Sequence, residues 1–224
     1  MIIGIDGKPT DKWKRLADEA ETEFNYSLAS QHHQERVASN DFDPELWADY
    51  GTFSMRVNDL AKAEQAFREA IAIDLAHLRS LQMYGVLLCV RKQYKEAEVF
   101  LQASVDLDQN NYVSWGLLAL YFELTDQMKQ AHQTYLFGEL AYKEYKKKYP
   151  TGNVLQYDRD SIIYLLSSEL HPKLQIVLAN YLLSLHADAL AEKVVFDEYN
   201  QKRSDTPIDL HMCFARIYII REDY

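Results

Sequence analysis

The sequence predicts an all-α fold: a right-handed superhelix of stacked helix pairs, about five and a half repeats with one helical insertion. Three observations predict it. Residue types recur with a 34-residue period, small and large apolar residues hold fixed places within each period, and the 224 residues include only 7 Gly and 5 Pro. So few turn residues disfavour the many tight turns of a β-sandwich or barrel. A single helix pair cannot bury both of its faces, so units of this period must stack on one another.

Trp13, Trp47, Leu81 and Trp115 lead four successive units. Three and four positions on stand Leu16 and Ala17, Tyr50 and Gly51, Tyr84 and Gly85, Leu118 and Ala119, followed by Ala20, Ser54, Leu88 and Phe122. Sixteen positions after each leading residue comes alanine, at 29, 63, 97 and 131, and four further on His33, Phe67, Leu101 and Tyr135. In the second unit this places helices at about residues 45 to 57 and 60 to 74. Gly51, Gly85, Ala63 and Ala97 let paired backbones approach, while Trp47, Tyr50 and Phe67 fill the space around them. Asn58 and Asp59, like Lys92 and Gln93, mark the turn, closed by Leu60 or Tyr94.

These spacings divide the chain as follows. Four repeats occupy residues 1–138, in blocks 10–43, 44–77, 78–111 and 112–145, the last running into a helical insertion at 139–171. A fifth repeat at 172–205 keeps Gln175, Leu178, Ala179, Leu182, Ala191 and Val195 in place. Residues 206–224 start a sixth with His211, Phe214, Ala215 and Tyr218, and the chain stops where the turn to its second helix is due, which reads as a piece of a longer protein. The insertion amounts to about 26 residues. Glu139 to Tyr149 continues the preceding helix, Pro150 to Asn153 stops it, and Asp158 to Leu170 reads as a further helix. That helix is expected to shield the join between two sub-stacks, or to lie in the concave groove.

Composition excludes several functions. The formal net charge of −10 opposes phosphate-backbone binding, so no nucleic-acid partner is expected. No apolar run reaches the length of a membrane span, and the first residues lack a signal-peptide core, so an intracellular protein without a membrane partner is expected. Cys89 and Cys213 read as small buried hydrophobes. Asp106 to Asn110 begins like a calcium loop, but Asn111 and Leu117 stand where Gly and Glu are required, so it reads as a turn between repeats. The histidines form no spaced metal set, and His33 takes an apolar core place. Asn25-Tyr26-Ser27, formally a glycosylation sequon, falls at a turn. Lys146, Lys147 and Lys148 read as a solvated helix end. No phosphate cradle, dinucleotide fingerprint or nucleophile elbow occurs, so no enzyme activity, cofactor, metal or small-molecule substrate is expected.

The run Trp47-Ala48-Asp49-Tyr50-Gly51, followed by Ala63, Phe67 and Ala70, resembles the tetratricopeptide repeat family. The resemblance implies that first helices line a concave groove for protein partners. Carried over, the groove positions include Met55 and Arg56 in the second repeat, Arg79, Gln82, Val86, Cys89 and Val90 in the third, and Val113, Gly116, Leu120, Glu123 and Leu124 in the fourth. The groove would turn apolar along its length. Chaperone-binding members clamp a carboxylate with Lys and Asn, but here Lys14 is followed by Asp18. An amphipathic helix docked on Val86, Val90, Val113, Leu120 and Leu124 is therefore expected.

Tyr84-Gly85-Val86-Leu87, the run from Tyr94 to Phe100 and the run from Trp115 to Glu123 resemble more narrowly the C-terminal repeat region of a family of cilia- and flagella-associated proteins. That resemblance implies a scaffold segment of the axonemal central apparatus that supports ciliary motility. The alternative is a cytosolic adaptor of chaperone or transport type that binds short peptides.

Overall fold

The structure, a computed structural model, describes residues 9–149, 173–201 and 208–222. The expected helix at 158–170, and with it any occupation of a groove, lies outside the described residues. Among those residues there are eleven α-helices and no strand. The chain forms two compact units, Met1–Met83 and Tyr84–Tyr224, with the boundary inside one helix.

The first unit holds α1 (Pro9–Thr22), α2 (Tyr26–Ser39), α3 (Pro44–Arg56), α4 (Leu60–Ile73) and the start of α5 (Leu78–Val90). α3 and α4 lie within a residue of the positions expected. Asp43 starts α3: its carboxylate accepts from the Glu45 N–H at 3.0 Å, and Pro44 takes the first turn, where no N–H is needed. The core gathers Ala20, Ala29, Val37, Leu46, Tyr50, Phe53 and Ala66, with Trp47 packed at its edge. Gly51 shows why the helices of a pair can touch. A Cβ there would stand 2.5 Å from Cε1 of Phe67, so the ring occupies the place of the missing side chain.

The second unit holds the rest of α5, then α6 (Tyr94–Leu107), α7 (Tyr112–Leu124), α8 (Met128–Lys148), α9 (Leu174–Ser184), α10 (Asp188–Gln201) and α11 (Ile208–Glu222). Leu101 fills the space beside Gly85 as Phe67 does beside Gly51. At 21 residues against 14 for α6, α8 carries on through the lysine run, as its sequence indicates. The lysines close its last turn, where cations oppose the helix dipole, and Lys146 and Lys148 also lie over the rings of Tyr142 and Tyr149.

The period is visible in the backbone. The second helix of each pair starts at Tyr26, Leu60, Tyr94 and Met128, each 34 residues after the last. Ahead of each stands one residue with a left-handed backbone, at Phe24, Asn58, Lys92 and Asp126, and again at His186 before α10. Each closes the same motif. At the second turn Asn58 N–H donates to Met55 O at 2.9 Å and Asp59 N–H to Ser54 O at 2.8 Å, satisfying carbonyls the helix end leaves open. None of the five is glycine, and only Asn58 and Asp126 are of a type that commonly takes this conformation.

The tryptophans also serve as ties. The Trp47 indole N–H donates to Asp41 O at 2.9 Å and that of Trp115 to Gln109 O at 2.8 Å, pinning the start of the helix to the preceding turn. Of the calcium-loop-like run, Asp106 lies in the last turn of α6 and the rest is a turn: Asp108 accepts from Asn110 N–H at 3.0 Å, and Asn111 caps α7 through Ser114 N–H at 3.0 Å. Asn25 of the sequon caps α2.

Candidate protein-interaction surface

In the first unit the expected groove residues are Met55, Arg56, Arg79 and Gln82. Met55 and Gln82 are buried. Both arginines are paired inside the unit. Arg79, 5% exposed, donates to Glu45 at 2.5 Å and to Asp49 at 2.6 Å. The other oxygen of Asp49 accepts from Arg36 at 2.7 Å, so one carboxylate joins α2, α3 and α5. Burial would raise the Asp49 carboxyl, but the two guanidinium groups outweigh it and hold it down to about 2. Asp49 raises Arg79 in return, against the opposing effect of burial.

Arg56 donates to Glu21 at 2.5 Å, and the other Glu21 oxygen lies 2.9 Å from His33 Nε2. Burial opposes ionisation of Glu21, yet His33 and Arg56 together lower its carboxyl below the usual range. His33 therefore does more than pack. Its ring stacks on Phe53 at 4.6 Å while its edge meets a carboxylate. The sequence reading missed Arg36 and the role of Asp49; the period places Glu21 among the charged groove positions of the first repeat but does not indicate its pairing with Arg56 and His33. One signal was present: Glu45 and Arg79 hold the same repeat position, 34 residues apart, with opposite charge.

In the second unit the expected apolar residues fall into two sets. Val86, Cys89 and Leu120 are buried at 2%, 5% and 4% exposure. Gly116 is buried too, since a Cβ there would meet both methyl carbons of Leu178 on α9 at 3.4 Å. Val90, Val113, Glu123 and Leu124 stay half-exposed at the margin. Val113 borders a cluster of Tyr112, Tyr142, Leu174 and Val177. Burial raises the Glu123 carboxyl, with Asp197 adding to the rise and Lys193 opposing it.

Both cysteines are free and buried, and desolvation pushes the Cys89 thiol up to about 12. Among the described residues no group of three His, Cys, Asp or Glu side chains could hold a metal ion, and no helix is long and apolar enough to cross a membrane.

Known proteins are similar to this chain in sequence and in fold. A family model described as "Cilia and flagella-associated protein 70 middle TPR-like domain" matches residues 13–140. Cilia- and flagella-associated protein 70 of Homo sapiens is 32% identical over 115 residues, 51% of this chain and 10% of that protein. The protein of that name from Macaca fascicularis is 33% identical over 77 residues, 34% of this chain and 8% of that protein. The matched stretch thus spans about a tenth of the curated relatives' length.

Among solved structures, MamA residues 41 to the end from Desulfovibrio magneticus RS-1 superposes with a TM-score of 0.55 at 16% identity, covering 88% of this chain and 99% of that one. PilF of Pseudomonas aeruginosa gives 0.52 at 16% identity, covering 95% and 86%. YrrB, described as a TPR protein with an unusual peptide-binding site, gives 0.50 at 12% identity, covering 63% and 76%. At such identities the likeness shows the fold alone, an all-α tetratricopeptide solenoid. The family model describes a middle domain, where the sequence runs pointed to a C-terminal region. It takes in more than half of the chain, which therefore belongs to the family of cilia and flagella-associated protein 70 middle TPR-like domains.

Proposed function

We propose that this chain is a non-catalytic scaffold segment of the ciliary or flagellar axoneme, of the central-apparatus type, whose repeats hold a helical stretch of another axonemal protein in support of motility. Family membership supports the location, and tetratricopeptide folds generally bind protein partners. The occupied state of the arginines carries the choice of partner. Arg56 and Arg79, cations a carboxylate clamp would use, already pair with Glu21, Glu45 and Asp49. An acidic tail would have to displace those carboxylates. An amphipathic helix needs only apolar margin, which Val90, Val113 and Leu124 offer, with Val86 and Leu120 as a filled layer beneath them.

The test is localisation of the tagged full-length protein in ciliated cells, with and without Val90→Glu and Leu124→Glu. Axonemal signal that both substitutions abolish, at unchanged helix content, is the expected result. A diffuse cytosolic signal with chaperone in the pull-down overturns the reading in favour of an adaptor.

A further inference from the structure

We infer that the helix docked in the groove carries a lysine or arginine beside its apolar face, and that this cation pairs with Glu123 at the groove margin. This rests on the groove reading above and adds the charge of the partner.

Three repeat positions act together: the eighth after the leading residue, the twentieth, and the ninth in the repeat that follows. In the first repeat they hold Glu21, His33 and Arg56. There the carboxylate is satisfied, with Arg56 at 2.5 Å on one oxygen and His33 Nε2 at 2.9 Å on the other. The second repeat holds Met55, Phe67 and Val90 at these places, and the third Cys89, Leu101 and Leu124, so neither brings a charge. The fourth returns to a carboxylate in Glu123, but Tyr135 stands in the place of His33 and Ser184 in the place of Arg56. Neither supplies a cation. The Tyr135 hydroxyl donates to Glu139 at 3.4 Å, and that of Ser184 to Tyr181 O at 2.5 Å.

Glu123 is half-buried, and among the described residues no hydrogen bond or ion pair holds its carboxylate. Lys193 stands near enough to oppose the rise of its carboxyl, but the Lys193 ammonium lies 3.2 Å from Asp197, whose charge adds to that rise. Two carboxylates thus share one ammonium group, and one negative charge is left over. Docking would take it further from water, which a cation from the partner would offset.

The position suits such a cation. On α7, Val113, Leu120 and Leu124 follow at intervals of seven and four, and Glu123 lies three after Leu120, so carboxylate and apolar margin share one face. A helix seated on that margin brings one end of its apolar stripe to Glu123. Lys and Arg fit there, since the aliphatic stem lies on apolar surface while the head meets the carboxylate.

Fluorescence anisotropy with the full chain tests this with two probes. Both are amphipathic helical peptides of about 16 residues with the same leucine face, flanked by lysine in one and by glutamine in the other. At about 0.15 M salt the lysine peptide should bind about five- to tenfold more tightly, and Glu123→Gln should bring the two within about twofold. Glu123→Lys should turn the preference towards a third peptide flanked by glutamate. Glu96→Gln, which removes an exposed carboxylate on α6, should keep the lysine preference. The double variant Val90→Asn, Leu124→Asn should weaken all the peptides alike. A lysine preference that survives Glu123→Gln, or that Glu96→Gln removes as well, overturns the inference and leaves the groove reading standing. Equal binding of the two peptides that the double variant weakens does the same. Binding that the double variant leaves unchanged, or no binding of either peptide at about 1 mM, overturns the groove reading and this inference with it.

Discussion

Arg79 on α5 donates to Asp49 on α3 at 2.6 Å while Arg36 of α2 holds the other oxygen of the same carboxylate at 2.7 Å. Both arginines and the aspartate are buried, so removing the carboxylate takes a charge partner from two cations held away from water, of which Arg79 keeps Glu45. Asp49→Ala should cost about 3–5 kcal/mol, read as a fall in the urea midpoint at pH 7. Replacing all three by apolar residues of similar size should recover most of that loss. If Asp49→Ala alone is neutral, the bridge contributes no stability.

The same carboxylate sets an acid limit. Its folded value lies near 2, below the ordinary 3.8, so its stabilisation is complete above about pH 4 and is lost as pH falls from there towards 2. The loss should be about 2 kcal/mol, and the lowered Glu21 and Glu45 push in the same direction. Urea unfolding at pH 7, 4 and 3 reads the slope. Asp49→Asn should flatten it while lowering stability at pH 7.

Gly51 should tolerate no side chain. The Cβ of Gly51→Ala would lie 2.5 Å from the Phe67 ring, and the α3–α4 pair must open or the ring must turn. A loss of about 1–3 kcal/mol is expected in thermal or urea unfolding. Adding Phe67→Leu should not restore it, because a Cβ at Gly85 would meet the leucine at 101 just as closely, at 2.4 Å.

Lys92 is exposed at φ 60°. Lys92→Gly should stabilise the protein by about 0.5–1 kcal/mol, since the relief of left-handed strain exceeds the added freedom of the unfolded chain. Phe24→Gly should act in the same direction. A lower melting temperature for both variants would show that these turns are not strained.

Trp47→Phe keeps an aromatic ring at the core edge but removes the donor to Asp41 O. About 1 kcal/mol should be lost, with amide exchange accelerating first in the turn before α3. Equal protection in that turn would reduce the tryptophan to its packing role.

The repeat architecture was legible because its determinants are local and periodic. Gly51 needs a large partner sixteen positions on, Ala63 needs a small one opposite, and both needs recur 34 residues later as Gly85 and Ala97. The left-handed turns were hard to see at Phe24, Lys92 and His186, whose types give no signal for them, whereas Asn58 and Asp126 are types that favour the conformation; helix-end hydrogen bonding imposes it on all five. The groove positions could be named from the period, but their exposure could not. Whether Leu120 is a floor and Leu124 a margin depends on how neighbouring helices cover α7.

Chain spacing therefore accounts for the helix pairs and for their boundaries to within a residue at α3 and α4, while the family came from the resemblance of residue runs. Periodicity reports what each residue must pack against in its own unit, and that demand is written into residue size. The partners of the charges came from packing between successive helix pairs within the first unit. Arg79 could have faced solvent or a ligand's carboxylate; it is buried against Asp49 because α2 and α5 bring two cations to one carboxylate, and a charge taken out of water is stable only with such a partner.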